Sequence, residues 1–269
     1  MKRSFGGSRV DMVQSDIDDG RRNVAAELAA DATSCGALRG SARGDRNISM
    51  RIAEMDALGL LRSGSRMLDI GCGSGEYTTE LAPRFEKVDG IDIERDRLDL
   101  FEQSKLEHID LEIMSATNMS YDDNTFDVVV MIEVLEHLAN VAGSLREIQR
   151  VLNPSGSLYL TTPSRRWPFE QHGVIIKGKR YPSYYLPGLV WVKPLHERFS
   201  DAAAFEPKEI KRLAEGADLK MVDYRFMMPP LDSLAEGHVA HRISEQLAEA
   251  GVSKFFGQTL VARLDQRER

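Results

Sequence analysis

The sequence predicts an α/β protein built on a doubly wound parallel sheet. Short apolar runs alternate with amphipathic helical stretches between residues 66 and 162, which is the pattern of right-handed strand, helix, strand crossovers. The run Phe126–Ile132 is rich in β-branched residues, as is typical of a parallel strand buried on both faces. A glycine-rich turn at 71–75 joins the first strand to its helix, so this turn is the first candidate ligand site.

The composition is that of a globular enzyme. The chain has 269 residues, of which 42% are hydrophobic, so it can build one large α/β core. The net charge of −7 argues against nonspecific nucleic-acid binding, which needs a basic surface. No apolar run approaches the ~20 residues of a membrane span, and the first twenty residues lack the apolar core of a signal peptide. We therefore expect a cytoplasmic protein with no membrane span and no nucleic-acid partner.

The chain divides into an N-terminal arm at 1–45 and a domain at 46–269. The arm mixes glycine, serine and both charge signs around one short helical candidate, Asn23–Ala32, and we expect it to be partly flexible. A tail is the favoured interpretation, and a substrate lid is the alternative. Apolar residues recur at helical spacing from Arg46 to Leu61, which predicts a helix beside the glycine turn.

The glycine turn predicts a cradle for a ligand with a positive amino-acid head. Free backbone N–H groups at the start of the helix that follows suit a carboxylate or a phosphate. Glu76 stands where the dinucleotide pattern G-x-G-x-x-G has its third glycine, which disfavours a nicotinamide cofactor. Asp69 precedes the turn, and its carboxylate would repel a pyrophosphate but attract an ammonium group.

Asp92 ends the second strand of the predicted sheet. It follows the first glycine by about 20 residues, the spacing at which a carboxylate accepts ribose hydroxyls in such folds. The alternative is that Asp92 caps the helix that begins near Arg95. Because the glycine turn independently predicts a nucleotide-like ligand, ribose binding is the favoured role.

These motifs resemble those of class I S-adenosylmethionine-dependent methyltransferases. Leu68–Gly75 looks like the first motif of that family, and Glu133–Leu138 resembles a later motif that follows the fourth strand and lines the cofactor pocket. The resemblance implies S-adenosylmethionine as cofactor and S-adenosylhomocysteine as product. It also implies a Rossmann-like seven-stranded sheet whose last strand is antiparallel, completed by strands near 219–226 and 257–262.

The resemblance also implies which residues contact the cofactor. Ser115 stands where the family often has an acid for the adenine amino group, so that contact is expected from Ser115, Thr117 or a backbone carbonyl. Ala116 matches the small residue beside the ring. The predicted cofactor contacts are Asp69, Gly71, Gly73, Gly75, Asp92, Ile93, Ser115, Ala116, Thr117 and Glu133.

A proline- and aromatic-rich insertion at 163–200 follows the fifth strand. A long irregular segment in a compact domain is usually functional, and its position places it at the carboxyl edge of the sheet. We expect it to cap the pocket and bind a small-molecule acceptor. Its own small core or a homodimer contact is the alternative. The predicted acceptor contacts are Trp167, Phe169, Tyr181, Tyr184, Tyr185 and His196.

The expected reaction is methyl transfer to a hydroxyl of a sugar or a secondary-metabolite scaffold. A hydroxyl acceptor gains from a base, and histidine suits this role near neutral pH. His172 and His137 rank above His196, because Glu170 is near enough in sequence to orient the His172 ring. No metal is expected, since no cluster with ligand spacing is visible. C- or N-methylation of a quinone-like or amine acceptor and a non-catalytic S-adenosylmethionine-binding partner protein are the alternatives.

Overall fold

The computed structural model describes residues 44–60, 66–182, 186–231 and 238–267. The predicted helix Asn23–Ala32 lies outside these ranges. The described helices are α1 Asp45–Ala57, α2 Glu76–Leu81, α3 Arg95–Glu102, α4 Val141–Val151, α5 Lys193–Phe199, α6 Pro207–Glu215, α7 Val239–Glu249 and α8 Ser253–Phe256. The strands are β1 Arg66–Ile70, β2 Lys87–Asp92, β3 Ile109–Ile113, β4 Phe126–Ile132, β5 Leu152–Pro163, β6 Val174–Ile176, β7 Lys179–Tyr181, β8 Leu219–Met227 and β9 Thr259–Gln266.

Seven of these strands form one mixed sheet in the order β3-β2-β1-β4-β5-β9-β8. The first five pair in parallel, whereas β9 runs antiparallel to both of its neighbours. The predicted doubly wound, Rossmann-like sheet with an antiparallel last strand is therefore confirmed. The strand order reverses between β1 and β4, and ligands of such sheets bind at the carboxyl ends of the strands on either side of that reversal.

Alternate residues of the central strands feed two apolar layers, one on each face of the sheet. Met67 and Val128 pack with residues of α1, α2 and α3, whereas Leu68 and Val129 pack with residues of α4 and α6. Side chains alternate between the faces of a strand. The continuous β-branched run of β4 is thus buried on both sides, as its sequence predicts.

Strand β5 begins earlier than expected. The sequence predicts that a Pro-Ser-Gly turn separates α4 from the strand, but Leu152 already pairs with Phe126. The next pair is Ser157 with Val128, so the intervening residues bulge out of the ladder. The strand therefore contains the predicted turn as an irregularity rather than following it.

The insertion after β5 has secondary structure of its own. Strands β6 and β7 form a hairpin whose two turn residues, Lys177 and Gly178, both have positive φ. Helix α5 contacts β6, and Val174, Val190 and His196 are buried.

None of the helices within the described ranges is long and apolar enough to cross a bilayer.

Candidate active site

The glycine turn lies at the carboxyl end of β1, on one side of the strand-order reversal. Backbone N–H groups of Gly71 and Cys72 donate to the Ile91 carbonyl at 2.7 and 3.1 Å, which ties the turn to β2. Gly71 has φ +74, and a Cβ there would lie 2.3 Å from the Val134 side chain. The turn therefore needs glycine at this position both for its backbone conformation and for packing against the segment after β4.

Gly75, the residue before α2, gives a direct test of this requirement. Its φ is +88, and a Cβ would lie 2.3 Å from the Phe101 ring. We expect Gly75→Ala to lower the free energy of unfolding by about 1–3 kcal/mol, since the added methyl is strained and overpacks the turn. Chemical denaturation measures the change. Gly178→Ala in the cap hairpin is the control, because its Cβ would meet no atom within 4 Å, although its φ is also positive.

Two buried carboxylates flank the glycine turn. Asp69 accepts a hydrogen bond from the Thr78 hydroxyl at 2.6 Å. Burial raises the pKa of Asp69 to about 7, with the Asp92 and Glu76 charges adding to the effect and the Thr78 bond opposing it. Asp92 accepts the N–H groups of Gly73 and Glu94, each at 2.9 Å. Asp92 thus holds the turn in place as well as standing where the ribose is predicted to bind.

The predicted adenine contacts lie after β3. Ser115 and Ala116 are buried, and the Ser115 and Thr117 hydroxyls lie 2.8 Å apart. Ile93 is half-buried at the end of β2. These residues lie on the β2 and β3 side of the glycine turn, where the sequence places them, and their contacts with a cofactor stay a prediction.

Glu133 forms a buried ion pair directly after β4. The Arg51 guanidinium of α1 lies 2.5 Å from Glu133 Oε1 and donates to the Thr161 hydroxyl at 2.7 Å. Asn47 accepts from Arg51 Nε at 2.8 Å, and the Arg51 and Glu133 side chains are only 1% and 2% exposed. Burial opposes ionisation of Glu133, but the adjacent Arg51 charge holds its pKa below the usual range.

Glu136, His137 and His172 converge beside this ion pair, and we call them the Glu136 cluster. Each offers a ligand atom, and these atoms all lie within 4.8 Å of one another. Glu136 Oε1 lies 4.0 Å from His137 Nε2 and 3.9 Å from His172 Nε2. All three side chains are at most 3% exposed. The cluster joins the 3₁₀ turn after β4 to the loop before β6.

The electrostatics of the cluster favour binding of a cation. Burial, with the Glu133 charge adding to it, raises the pKa of Glu136 well above its usual value. Burial and the neighbouring His172 lower the pKa of His137 to about 4. Glu136 Oε1 and both ring nitrogens of His137 are buried, and within the described ranges they have no hydrogen-bond partner. Because buried polar atoms are normally paired, these atoms suit a cation or a polar substrate group.

The structure brings His137 and His172, the two favoured candidate bases, into contact, whereas His196 is not part of the Glu136 cluster. The His137 and His172 rings meet edge to face with centroids 4.8 Å apart. His196, on α5, is 4% exposed in its side chain and forms a short hydrogen bond from its Nε2 to Glu170 Oε2. Burial opposes ionisation of Glu170, but hydrogen bonds from His172 and His196 lower its pKa to about 2. His196 thus has a buried carboxylate partner, and its predicted acceptor contact stays a prediction.

The aromatic residues of the cap are partly placed. The Trp167 and Phe169 rings lie 5.7 Å apart, and both residues are half-buried, as is Tyr181. Tyr184 and Tyr185 lie outside the described residues. The half-buried rings can shield an acceptor from water or pack within the cap.

The sequence predicts neither the role of Arg51 in the site nor the grouping of Glu136 with the two histidines. Arg51 lies on a helix whose apolar spacing predicts packing only, and a single arginine on such a helix carries no signal of its buried partner. Glu136 and His137 are adjacent, but His172 reaches them only through the cap loop. Ligand spacing along the chain therefore could not reveal the cluster, although the pairing of Glu136 and His137 at a strand end was a partial signal.

Comparisons with known proteins agree with this geometry. Residues 68–160 match a family described as methyltransferase domain. The chain is 29% identical over 180 residues to a ubiquinone biosynthesis O-methyltransferase of Burkholderia ambifaria, covering 65% of this chain and 73% of that protein. A protein of the same name from Aeromonas salmonicida is 30% identical over 164 residues, covering 60% and 65%.

Solved structures share the fold at low identity. An S-adenosylmethionine-dependent methyltransferase from Mesorhizobium loti has a TM-score of 0.57 at 17% identity, covering 80% of this chain and 98% of that one. A geranyl diphosphate methyltransferase solved in complex with S-adenosylmethionine also has a TM-score of 0.57 at 17% identity, covering 82% and 86%. At such identities the likeness establishes the fold alone.

Proposed function

We propose that this chain, which belongs to the class I S-adenosylmethionine-dependent methyltransferase family, methylates a hydroxyl of a small molecule at the Glu136 cluster. The observation that carries the proposal is the cluster itself. Three buried groups able to bind a cation or a hydroxyl converge just beyond the carboxyl end of β4, in the segment whose Val134 packs against Gly71 of the glycine turn. The O-methyltransferase names of the two relatives support a hydroxyl as the acceptor.

The cofactor is S-adenosylmethionine, and we assign its contacts to the loops around the strand-order reversal. Asp69 is assigned to the methionine ammonium group, because it is a buried carboxylate that a cation would ionise. Asp92 is assigned to the ribose, and Ser115, Ala116 and Thr117 to the adenine. Glu133 is assigned to the wall of the methionine pocket. Its Oε2 atom is buried without a partner in the described part of the chain, so it can accept a hydrogen bond from the ligand.

We further propose that Glu136, His137 and His172 hold a divalent cation. One carboxylate and two imidazoles form a donor set that suits Mn²⁺ or Zn²⁺, and the unpartnered buried atoms of Glu136 and His137 fit that occupant. A bound cation of this kind acts as a Lewis acid and lowers the pKa of a hydroxyl beside it. Without a cation, His172 and His137 remain the candidate bases.

The acceptor we propose carries two neighbouring hydroxyls, as in a sugar diol or a catechol. Glu136, His137 and His172 would supply three ligands, and a six-coordinate cation such as Mn²⁺ would then have positions for two adjacent oxygens of such a group. The cap at 163–200 supplies the half-buried rings of Trp167, Phe169 and Tyr181 for a sugar face or an aromatic ring. Methyl transfer then needs little covalent machinery, because alignment of the hydroxyl with the methyl group supplies much of the acceleration.

Titration calorimetry and methyl transfer to a panel of acceptors test the proposal together. We expect S-adenosylmethionine to bind the isolated protein, and Mn²⁺ to raise turnover on diols or catechols while a chelator lowers it. Matched acceptors with one hydroxyl blocked by a methyl group are the controls. Folded protein that binds no S-adenosylmethionine would refute the enzyme, and transfer only to amines or carbons would refute the hydroxyl assignment.

Cofactor affinity should depend on pH through Asp69. In the unliganded protein, burial raises the pKa of Asp69 to about 7, so the carboxyl keeps its proton below that pH. The contribution of this group to the free energy of unfolding is therefore fully present below about pH 4 and is lost as the pH rises through 7. A bound ammonium group favours the carboxylate instead. We therefore expect affinity for S-adenosylmethionine to rise about eightfold between pH 6 and 7.5.

Calorimetry at several pH values measures this dependence. Asp69→Asn should bind more weakly and lose the rise, because an amide does not titrate in this range. If the Asp69→Asn protein kept the same pH dependence as the wild type, the assignment of the ammonium group to Asp69 would be wrong.

A further inference from the structure

Glu170 lies between two histidines in the loop that leads from β5 into the cap. We propose that Glu170 is a positioning residue that fixes the His172 ring with its Nε2 lone pair toward Glu136, and that His196 anchors Glu170 from the cap helix α5. The proposal rests on the function assigned above to the Glu136 cluster. It adds a group that touches neither the cation nor the acceptor.

One oxygen of Glu170 bonds to the backbone of His172 and lies near its ring. Oε1 accepts the backbone N–H of His172 at 3.0 Å and faces its ring atom Nδ1 at 3.6 Å. The other face of the same ring turns Nε2 toward Glu136 Oε1, 3.9 Å away. The backbone and the ring of His172 thus both lie against one carboxylate, which limits the rotation of the ring.

The second oxygen of Glu170 is anchored by the cap. Oε2 forms a short hydrogen bond with His196 Nε2, and the side chains of Glu170 and His196 are 3% and 4% exposed. A carboxylate accepts hydrogen bonds and attracts protons, so its position beside Nδ1 of His172 favours the tautomer that carries the ring proton on that nitrogen. A proton on His172 Nδ1 leaves the lone pair on Nε2, on the side of the cluster where a cation or an acceptor proton would bind.

This arrangement links acceptor binding to the reactive atoms. When a residue that hydrogen-bonds to a metal-ligating histidine is removed, metal affinity commonly falls 10- to 100-fold. Because His196 lies on α5 of the cap, a shift of that helix would move Glu170 and, through it, His172. The positioning role therefore makes the cap part of the active site even where its side chains do not touch the acceptor.

Two measurements on the full chain separate positioning from simple packing. Nitrogen-15 NMR of the histidine rings reports which ring nitrogen carries the proton, and Mn²⁺ binding reports the ligand set. In wild-type protein we expect His172 to carry its proton on Nδ1. In Glu170→Ala we expect that proton to move to Nε2 in a substantial fraction of molecules, and Mn²⁺ affinity to fall about 10- to 100-fold.

Turnover completes the test. Glu170→Ala should lower kcat and leave the KM for S-adenosylmethionine unchanged, whereas Glu170→Gln should recover part of kcat, because its amide oxygen can still accept from His172. Glu197→Gln is the matched control, since Glu197 is the neighbour of His196 on α5 and its side chain is 61% exposed. It should match the wild type in all three measurements.

The outcomes distinguish this inference from the proposed function. If Glu170→Ala kept the wild-type tautomer, Mn²⁺ affinity and kcat, Glu170 would have no positioning role. If wild-type protein bound no Mn²⁺ and transferred no methyl group, the proposed function would fail, and the tautomer in Glu170→Ala would still decide the positioning role. If the alanine variant did not fold, judged by circular dichroism, Glu170→Gln and its tautomer distribution would decide.

Discussion

Replacing Arg51 by methionine is expected to lower the free energy of unfolding by about 3–5 kcal/mol, the usual cost of removing one partner of a buried ion pair. The methionine fills much of the same space, so the loss is electrostatic rather than a cavity. Glu133 would keep a buried carboxylate that has lost its cationic partner but still accepts from the Thr161 hydroxyl, 3.1 Å away. Urea denaturation followed by circular dichroism measures the loss.

Two controls isolate the buried pair. Arg225→Met removes an exposed partner of Glu54, 48% exposed at the arginine, and should cost no more than about 1 kcal/mol. The double variant Arg51→Met with Glu133→Gln should recover part of the loss, because the uncompensated charge is gone. A single Arg51→Met variant as stable as wild type would mean that the ion pair does not support the fold.

Replacing His172 by alanine should cause the largest loss of turnover of any single change in the cap. We expect kcat to fall about 10²- to 10⁴-fold, which is the range for removing a general base. In the proposed site, His172 is either that base or a ligand of the cation that lowers the pKa of the acceptor hydroxyl. Affinity for S-adenosylmethionine should stay within about twofold of wild type, because the predicted cofactor loops follow other strands. Steady-state kinetics and calorimetry measure the two effects.

Glu136→Gln separates the two roles of the cluster. If His172 acts as a base alone, Glu136→Gln should retain most of kcat, whereas loss of a cation ligand should lower kcat and Mn²⁺ affinity together. His108→Ala is the control histidine, since it precedes β3 at the amino edge of the sheet and contacts the Ala82 carbonyl. A His172→Ala enzyme with full turnover would remove His172 from the chemistry.

The fold could be predicted because each of its signals is local. The β-branched run of Phe126–Ile132 and the apolar spacing of neighbouring helices follow from burial on one or both faces of a sheet. The positive φ angles of Gly71 and Gly75 explain the spacing of glycines in the turn. Asp92 could be placed in the same way, because the end of a strand is fixed once its length is known.

The site was only half predictable because its remaining contacts are long-range. Arg51 reaches Glu133 across 82 positions of the chain, and nothing in the neighbourhood of either residue specifies the other. His172 meets Glu136 only because a loop of the cap folds back over the sheet edge. The sequence therefore predicts two candidate histidines, with Glu170 near enough to orient one of them. It does not predict that both histidines meet Glu136 or that His196 contacts Glu170.

Methyl transfer to a catechol or a sugar diol, followed by mass spectrometry with and without Mn²⁺, tests whether the Glu136 cluster takes part in the reaction. We expect one added methyl group on a hydroxyl, turnover that falls when the cation is chelated, and loss of transfer in Glu136→Gln and His172→Ala proteins that still bind S-adenosylmethionine. If both variants transferred the methyl group to a hydroxyl at the wild-type rate, the Glu136 cluster would take no part in the reaction.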